Sequence, residues 1–443
     1  MNASPPEPRA PAPAASPRAH LNVADSAVIL KRFYFVERAL IVLQAGWLPG
    51  VEHWGTKLAL PETLWENSVL ARELRNRILE LRYPERRIVA GDDEPLVARF
   101  RQCGDAPNGL AFVRALAEAA RPYTRELYSS YRRIADALDD APTLFFLNHA
   151  LADFERQDER LRAASRGYAV VYPEQTAAAD RWVAAVRAVF DQTPHALFFR
   201  PDAPPAWDGS VLTAAGGRPL RISRTGARDR RFRRCAFAWP DRLKPGDPGE
   251  GRRLQLRQAV HHANEVWASE MAAACLHDLA DKGPAEFLED AARWCFDEIR
   301  HCRMGYERLK AWRFAEADIP LDAFSYDAGQ SLDAIGRLGI IFFFESTYIH
   351  TKPERTRIFR DLGDRLSSHD MDFDWADELV HTHYGKRWLE FFLAAEGAGR
   401  TPADIKRAAQ AAVERRQAEA SAEDQAATEQ AFQAVLAKDG ASS

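Results

Sequence analysis

The stretch DELVHTHYG (residues 377–385) decides the fold, because the chain holds a second copy of its pattern eighty residues earlier (377 − 297 = 80). That copy is DEIRHCRMG (residues 297–305), and both have Asp-Glu, two residues, His, three residues and Gly. Glu265 lies 33 residues before the glutamate of the first copy (298 − 265 = 33). Glu345 lies 33 residues before that of the second (378 − 345 = 33). The repeat indicates two equivalent halves of one site.

The residue types of the repeat indicate a metal centre. Glu and His at positions i and i+3 project from the same face of a helix. One glutamate from each of two helices, with a Glu-x-x-His pair from each of two others, is the ligand set of di-iron and di-manganese sites in four-helix bundles. The predicted ligands are Glu265, Glu298, His301, Glu345, Glu378 and His381. The predicted fold class is therefore all-α, with a four-helix bundle in the C-terminal half.

The position of Glu345 favours a buried centre over pairs of Glu and His on a helix surface. Glu345 follows the apolar run LGIIFFF (residues 338–344), which is typical of a buried helix. A carboxylate removed from water costs several kcal/mol unless a partner compensates its charge. Two cations would compensate several such carboxylates together. Surface pairs would explain neither the apolar run nor the equal spacing.

Composition excludes some functions. The chain has 443 residues and a net charge of −4. Its sequence pI is about 6.3, so there is no overall electrostatic case for nucleic-acid or membrane binding. The five cysteines include no Cys-x-x-Cys pair, which indicates reduced thiols. No run approaches the ~18 apolar residues of a membrane span. We expect a cytoplasmic protein.

Changes in composition divide the chain into five predicted segments. These are a disordered lead-in (1–20), an N-terminal helical bundle (21–165), a partly irregular connector (166–250), the metal-binding bundle (251–398) and a helical tail (399–443). Breaks in the N-terminal bundle are expected at prolines such as Pro61 and Pro142. The last helix of the metal-binding bundle is expected to begin near Asp372 or Asp374 as its cap.

The N-terminal bundle contains a weaker echo of the repeat. Glu37 precedes Glu66 by 29 residues (66 − 37 = 29), and Glu126 precedes Glu155 by the same number (155 − 126 = 29). However, Val69 stands where a histidine would complete the motif. One interpretation is a second, all-carboxylate metal site. The favoured interpretation is a bundle that is kept for structure and binds no di-iron cluster.

Two further features leave alternatives open. The connector contains a basic cluster, which either binds an anion or is a solvated loop: Arg228, Arg230, Arg231, Arg233 and Arg234. The tail is predicted to be helical but exposed. Its amphipathic patch, formed by Phe432, Val435 and Leu436, fits a docking stripe or an oligomer contact equally well.

With these motifs in view, the chain resembles the ferritin-like superfamily, and within it the non-haem di-iron oxygenases and oxidases. Residues 377–389, in which the histidine motif is followed by Gly385, Arg387 and Trp388, are also similar to a poorly characterised bacterial family of ferritin-like proteins. The resemblance covers residues 251–398 well and residues 64–82 more weakly. It does not cover residues 166–250.

The resemblance implies roles for individual residues. Each iron would have its own three ligands: Glu265, Glu298 and His301 for one, and Glu345, Glu378 and His381 for the other. Glu298 and Glu378 would bridge the two ions. Asp297 and Asp377 would accept a hydrogen bond from the histidine of the opposite helix, which orients the ring for the metal. Gly305 and Gly385 would either permit close helix packing or leave room for a substrate.

Four other side chains have two interpretations each. His262 is either an additional ligand, as in some N-oxygenating relatives, or a histidine at the surface or at a helix cap. Tyr348 either carries a radical near the metals or is a core tyrosine with a satisfied hydroxyl. Trp294 and Trp375 are interpreted as core residues, with electron relay as the alternative.

The expected function is an O2-activating di-iron oxygenase or oxidase of a small organic substrate. The cofactor is two Fe ions, with Mn or a mixed Mn/Fe pair as alternatives, and the electron donor is not identified. A second reading is a ferroxidase or iron-handling protein, and a third is a non-catalytic scaffold stabilised by metal. The expected partners are the substrate and O2, and a homodimer is left open.

Overall fold

The computed structural model describes residues 20–82, 88–200, 202–237 and 251–440. The predicted disordered lead-in lies outside these residues except for His20. Within them most residues are helical, and the strands are two of two residues each, β1 (Arg233–Arg234) and β2 (Pro320–Leu321), which pair in parallel. The predicted all-α class is confirmed. None of the described helices combines the length and apolarity needed to cross a lipid bilayer.

The N-terminal part is built on two long helices that pack side by side, α1 and α2. Asn22 begins α1, because its side chain accepts a hydrogen bond from the amide of Asp25, whose own side chain caps Asn22 in return. The helices of this part are α1 (Val23–Trp47), α2 (Trp54–Glu80), α3 (Glu94–Gln102), α4 (Gly109–Ala115), α5 (Arg121–Ile134) and α6 (Ala141–Val171).

The expected break at Pro61 is wrong. Pro61 is buried within α2, which continues through it to Glu80. A proline costs the helix one backbone hydrogen bond. Here the packing of α2 against its neighbours on both sides, α1 and α12, outweighs that loss. Pro142 behaves as expected and lies in the first turn of α6.

The four N-terminal carboxylates of the weaker repeat do not form a shared ligand set among the described residues. Buried Glu37 accepts hydrogen bonds from Arg121 and Tyr128. Arg160 donates a hydrogen bond to Glu66, and Arg133 donates one to Glu126 at the surface. Glu155 is exposed. The weaker N-terminal repeat therefore reflects the spacing of the helices and not a common metal site.

In the described part of the connector, the first residues are more helical than residues 215–237. It contains α7 (Thr176–Asp191), α8 (Ala196–Phe199), α9 (Ser210–Ala214) and the strand β1. Within its basic cluster, Arg228 is buried, so neither of the two predicted interpretations applies to it. Its guanidinium lies 2.8 Å from a carboxylate oxygen of Glu270, which is also paired with Lys57 of α2. This three-residue ion cluster ties the N-terminal helices and the connector to the C-terminal half.

The C-terminal half contains the remaining helices. They are α10 (Arg252–Asn264), α11 (Val266–Leu279), α12 (Ala285–Ala311), α13 (Phe324–Gly329), α14 (Ala334–Tyr348), α15 (Lys352–Asp361), α16 (Arg365–Glu396), α17 (Pro402–Ala418) and α18 (Ala422–Gly440). The largest hydrophobic cluster includes buried residues of α1 and α2 as well as of α11, α12, α14 and α16. The two predicted bundles thus share one apolar core.

Gly305 permits close packing of helices. A Cβ atom at this position would overlap the backbone of Ala259 and Ala263 on α10. At Gly385 a Cβ would collide with the ring of Phe342 on α14. Of the two predicted interpretations, helix packing applies at both glycines.

Candidate metal centre

The six predicted ligands come together at the centre of the C-terminal helices. Glu298 and His301 lie on α12, Glu345 on α14, and Glu378 and His381 on α16. Glu265 lies between α10 and α11, where its backbone angles (φ −65°, ψ −2°) separate the two helices. All six side chains are buried.

The ligand atoms form two overlapping groups. Oxygen and nitrogen atoms of Glu298, Glu345, Glu378 and His381 lie within 4.8 Å of one another, as do those of Glu265, Glu298 and His301. Glu298 belongs to both, because one of its oxygens is 3.0 Å from Nδ1 of His381 and the other is 3.6 Å from Nδ1 of His301. Glu298 thus spans the two groups in the manner of a bridging carboxylate.

Buried atoms without a hydrogen-bond partner face this centre. Burying a polar atom without a partner costs free energy, so such a concentration requires a compensating group. Among the described residues, these unpartnered atoms are Glu265 Oε2, Glu298 Oε1, His301 Nδ1, Glu345 Oε2, Glu378 Oε2, His381 Nδ1 and His262 Nε2. Carboxylate oxygens and imidazole nitrogens are ligands of divalent metals. The cluster can therefore hold a metal ion.

The charges of the cluster are poorly balanced by the protein alone. Burial, together with the Asp374 carboxylate, raises the pKa of Glu265 well above its ordinary value. Burial and the Glu378 carboxylate do the same to the pKa of Glu345. Burial would also raise the pKa of Glu298, but the neighbouring imidazoles of His301 and His381 lower it. Negative charge is concentrated here beyond what the side chains can neutralise, which favours binding of cations.

The two aspartates of the repeat lie where the resemblance implies. His301 Nε2 is 3.2 Å from Asp377 on the opposite helix, and His381 Nε2 is 3.4 Å from Asp297. Arg300 holds both aspartates, with distances of 2.6 Å to Asp297 and 3.0 Å to Asp377. When Nε2–H donates to an aspartate, the lone pair of Nδ1 faces the centre. The aspartates thereby orient both rings.

Replacing Asp297 or Asp377 by alanine is expected to lower metal affinity by roughly 10- to 100-fold while the protein still folds. The ring would lose the acceptor that orients it but would keep its ligand atom. Affinity is measured by competition with a chelator. The matched control is Asp372→Ala, at an exposed position of α16. Wild-type affinity in both aspartate variants would contradict this role.

Trp294 has a defined role beside the cluster. It is buried, its indole N–H donates to Glu345 at 2.9 Å, and its ring stacks on His381 with centroids 5.5 Å apart. It therefore orients one carboxylate and one imidazole in addition to filling the core. Trp375 is only half-buried.

Two functional candidates were missed from the sequence, Asp374 and Lys352. The expected cap at Asp372 or Asp374 is wrong, because α16 begins at Arg365 with Asp364 as its cap. Asp374 is buried inside the helix, 3.4 Å from Nδ1 of His301. Its spacing was an available signal, since four residues separate it from Glu378 on the same helix face (378 − 374 = 4). Lys352 had no such signal, because it reaches the site from another helix, α15.

For His262 and Tyr348, the structure contradicts one of the two predicted interpretations. His262 is fully buried, not at the surface, and its Nε2 is 3.6 Å from Asp374. Burial lowers the pKa of His262 to about 3, which keeps the imidazole neutral as a ligand must be. Tyr348 is 49% exposed and therefore not a core residue. It lines the cleft that leads to the cluster.

Comparison with known families adds one match. Residues 218–433 match a family described as protein of unknown function (DUF455). The match includes all six predicted ligands together with Asp374, Lys352 and Arg228. No curated protein and no solved structure matches the chain.

A cleft of about 490 Å³ leads from the surface to the cluster, with four carboxylates at its base: Glu265, Glu298, Glu345 and Glu378. One part of its wall is aromatic and includes Trp267, Phe344 and Tyr348. Another part, on α18, is polar and includes Gln425, Thr428 and Glu429. The cleft therefore suits a ligand with both apolar and polar groups.

The C-terminal tail takes part in this cleft. The expectation of an exposed tail is wrong for its amphipathic patch, because Phe432 and Val435 are buried and Leu436 packs beside them. They join a hydrophobic cluster with Leu256 and Val260 of α10. The patch is neither a docking stripe for another protein nor an oligomer contact, because it packs against α10 of the same chain.

Proposed function

We propose that this protein is a ferritin-like di-iron enzyme that uses O2 to oxidise a small organic substrate. The observation that carries the proposal is the geometry of Glu298, whose two oxygens face two histidines at the base of a cleft. Four helical segments supply the ligands in the order expected for a ferritin-like bundle: α10–α11, α12, α14 and α16. Carboxylates and imidazoles in this ratio suit iron or manganese better than a structural zinc.

The overlapping groups support two ions. Glu298 would bridge them, and Glu378 is the second candidate bridge because its oxygens also approach His301 and Asp374 as a third group. Two ferrous ions would supply the electrons and the open coordination positions that O2 activation needs. The protein contributes orientation: Asp297 and Asp377 fix the imidazoles, and Trp294 fixes Glu345.

The cleft supports an organic substrate over Fe(II) as the substrate. A path for Fe(II) would need carboxylates along its length. The wall above the ligands carries one further carboxylate, Glu429, and otherwise aromatic rings such as Trp267 and Phe344 with side-chain amides such as Gln425. Aromatic side chains bind carbon skeletons, and a few polar groups orient them.

The test is a titration of the metal-free protein with Fe(II) under O2. Oxidation is expected to stop near two equivalents per chain, with no ferric mineral. Oxidation of many equivalents with retained mineral would favour the iron-handling reading. Binding of two Fe(II) without O2 consumption would favour the scaffold reading. The matched control is Glu307→Ala, at an exposed position of α12, which should oxidise the same number of Fe(II) equivalents as the wild type.

A further inference from the structure

Lys352 places a positive charge inside the candidate centre. It is the first residue of α15, which follows α14 after a short 3-10 turn (Ile349–Thr351). Its ammonium lies 2.7 Å from both oxygens of Asp374 and 2.9 Å from an oxygen of Glu378. The side chain is 9% exposed. A cation therefore lies among the ligands as a permanent part of the chain.

The charges around Lys352 can be counted. Asp297 and Asp377 are balanced by Arg293 and Arg300, and Arg308 pairs with Asp370 at 3.3 Å. Charges at the rim of the cleft are screened by solvent. The carboxyl groups that remain are Glu265, Glu298, Glu345, Glu378 and Asp374. When all five are deprotonated, as metal binding requires of carboxylate ligands, the inner centre has five negative charges and one positive charge (−5 + 1 = −4). Two divalent ions bring it to zero (2 × 2 = 4).

We propose that the Lys352 ammonium is a built-in third cation, which makes the centre neutral with two divalent ions and so sets its metal count and its preference for the divalent state. This inference rests on the proposed function, because it takes the cluster to be the metal centre. Charge buried in a low-dielectric site is costly unless it is balanced. One divalent ion would leave −2, and three would leave +2.

Lys352 also restrains Asp374. Without the ammonium, both oxygens of Asp374 would be available to a metal, and Asp374 already lies within 4.8 Å of ligand atoms of His301 and Glu378. The direction of the change in cation affinity therefore distinguishes the two roles of Lys352. Removing the ammonium should strengthen the binding of cations, whereas a residue that only supports the fold should weaken binding when it is removed.

The experiment compares Lys352→Met with wild type in anaerobic titrations with Co(II). The wild type is expected to bind two equivalents. Lys352→Met is expected to bind them about tenfold more tightly or more, because attraction to the buried carboxylates rises when a nearby positive charge is removed. In the iron-loaded protein the Fe(III)/Fe(II) midpoint should shift to lower potential, since excess negative charge favours the trivalent ion.

Three variants serve as controls. Lys352→Arg keeps the charge and should retain wild-type affinity, and Lys352→Gln is a second neutral variant with the same expected direction as Lys352→Met. The double variant with Lys352→Met and Asp374→Asn restores neutrality with two ions (−4 + 4 = 0), so its midpoint should return toward the wild-type value. Unchanged or weaker Co(II) binding in both neutral variants would overturn the inference. Failure of the wild type to bind two ions would overturn the proposed function itself.

Discussion

Replacing Glu298 by alanine is expected to remove most of the bound metal from both positions. Its two oxygens face Nδ1 of His381 at 3.0 Å and Nδ1 of His301 at 3.6 Å, so a single substitution removes a ligand from both groups. Most of the metal should likewise be lost from Glu378→Ala, since Glu378 also belongs to two groups. The measurement is metal content by elemental analysis of protein purified without chelators.

The control for this experiment is an exposed glutamate of the same helix. Glu307 is paired only with Arg303 among the described contacts. It lies nine residues beyond the site residue Glu298 on α12 (307 − 298 = 9). Glu307→Ala should retain wild-type metal content. Circular dichroism checks that the helices remain in each variant. Two equivalents of metal in both Glu298→Ala and Glu378→Ala would show that the ligand set is wrongly assigned.

Replacing Glu270 by alanine is expected to destabilise the protein by about 3–5 kcal/mol, the usual cost of breaking a buried ion pair. Glu270 is fully buried and pairs with both Lys57 and Arg228. Burial already lowers the pKa of Lys57 to about 8 even with this carboxylate beside it. Without Glu270, Lys57 must lose its proton or remain an unpaired buried charge. Arg228 cannot lose its proton, so its buried charge would lose its carboxylate partner. The measurement is the free energy of unfolding in urea.

An exposed ion pair provides the comparison. Asp361 pairs with Arg357 on the surface of α15, with both side chains 62% exposed. Asp361→Ala should change the free energy of unfolding by no more than about 0.5 kcal/mol. If Glu270→Ala were as mild as this control, the three-residue cluster would not be what joins the connector to the helices.

The helical class and the six candidate ligands were accessible from the sequence for a local reason. Glu and His three positions apart share a helix face whatever the helix packs against. A repeat with equal gaps then places two such faces in one bundle. The run before Glu345 was apolar because its helix is buried, and this too is visible in the sequence. Asp374 was also within reach, and was missed because an aspartate near an assumed helix start was taken for a cap.

Other features depended on contacts between distant parts of the chain, and only the tertiary structure decided them. Lys352 reaches Asp374 and Glu378 from α15, whereas these two carboxylates lie on α16. Arg228 is an internal partner of Glu270 and not a solvated residue. Local sequence patterns report which face of a helix is apolar, but not which distant segment will cover it. The sequence by itself thus determined the helical class and the candidate ligand residues, whereas long-range packing decided the charge balance and the walls of the cleft.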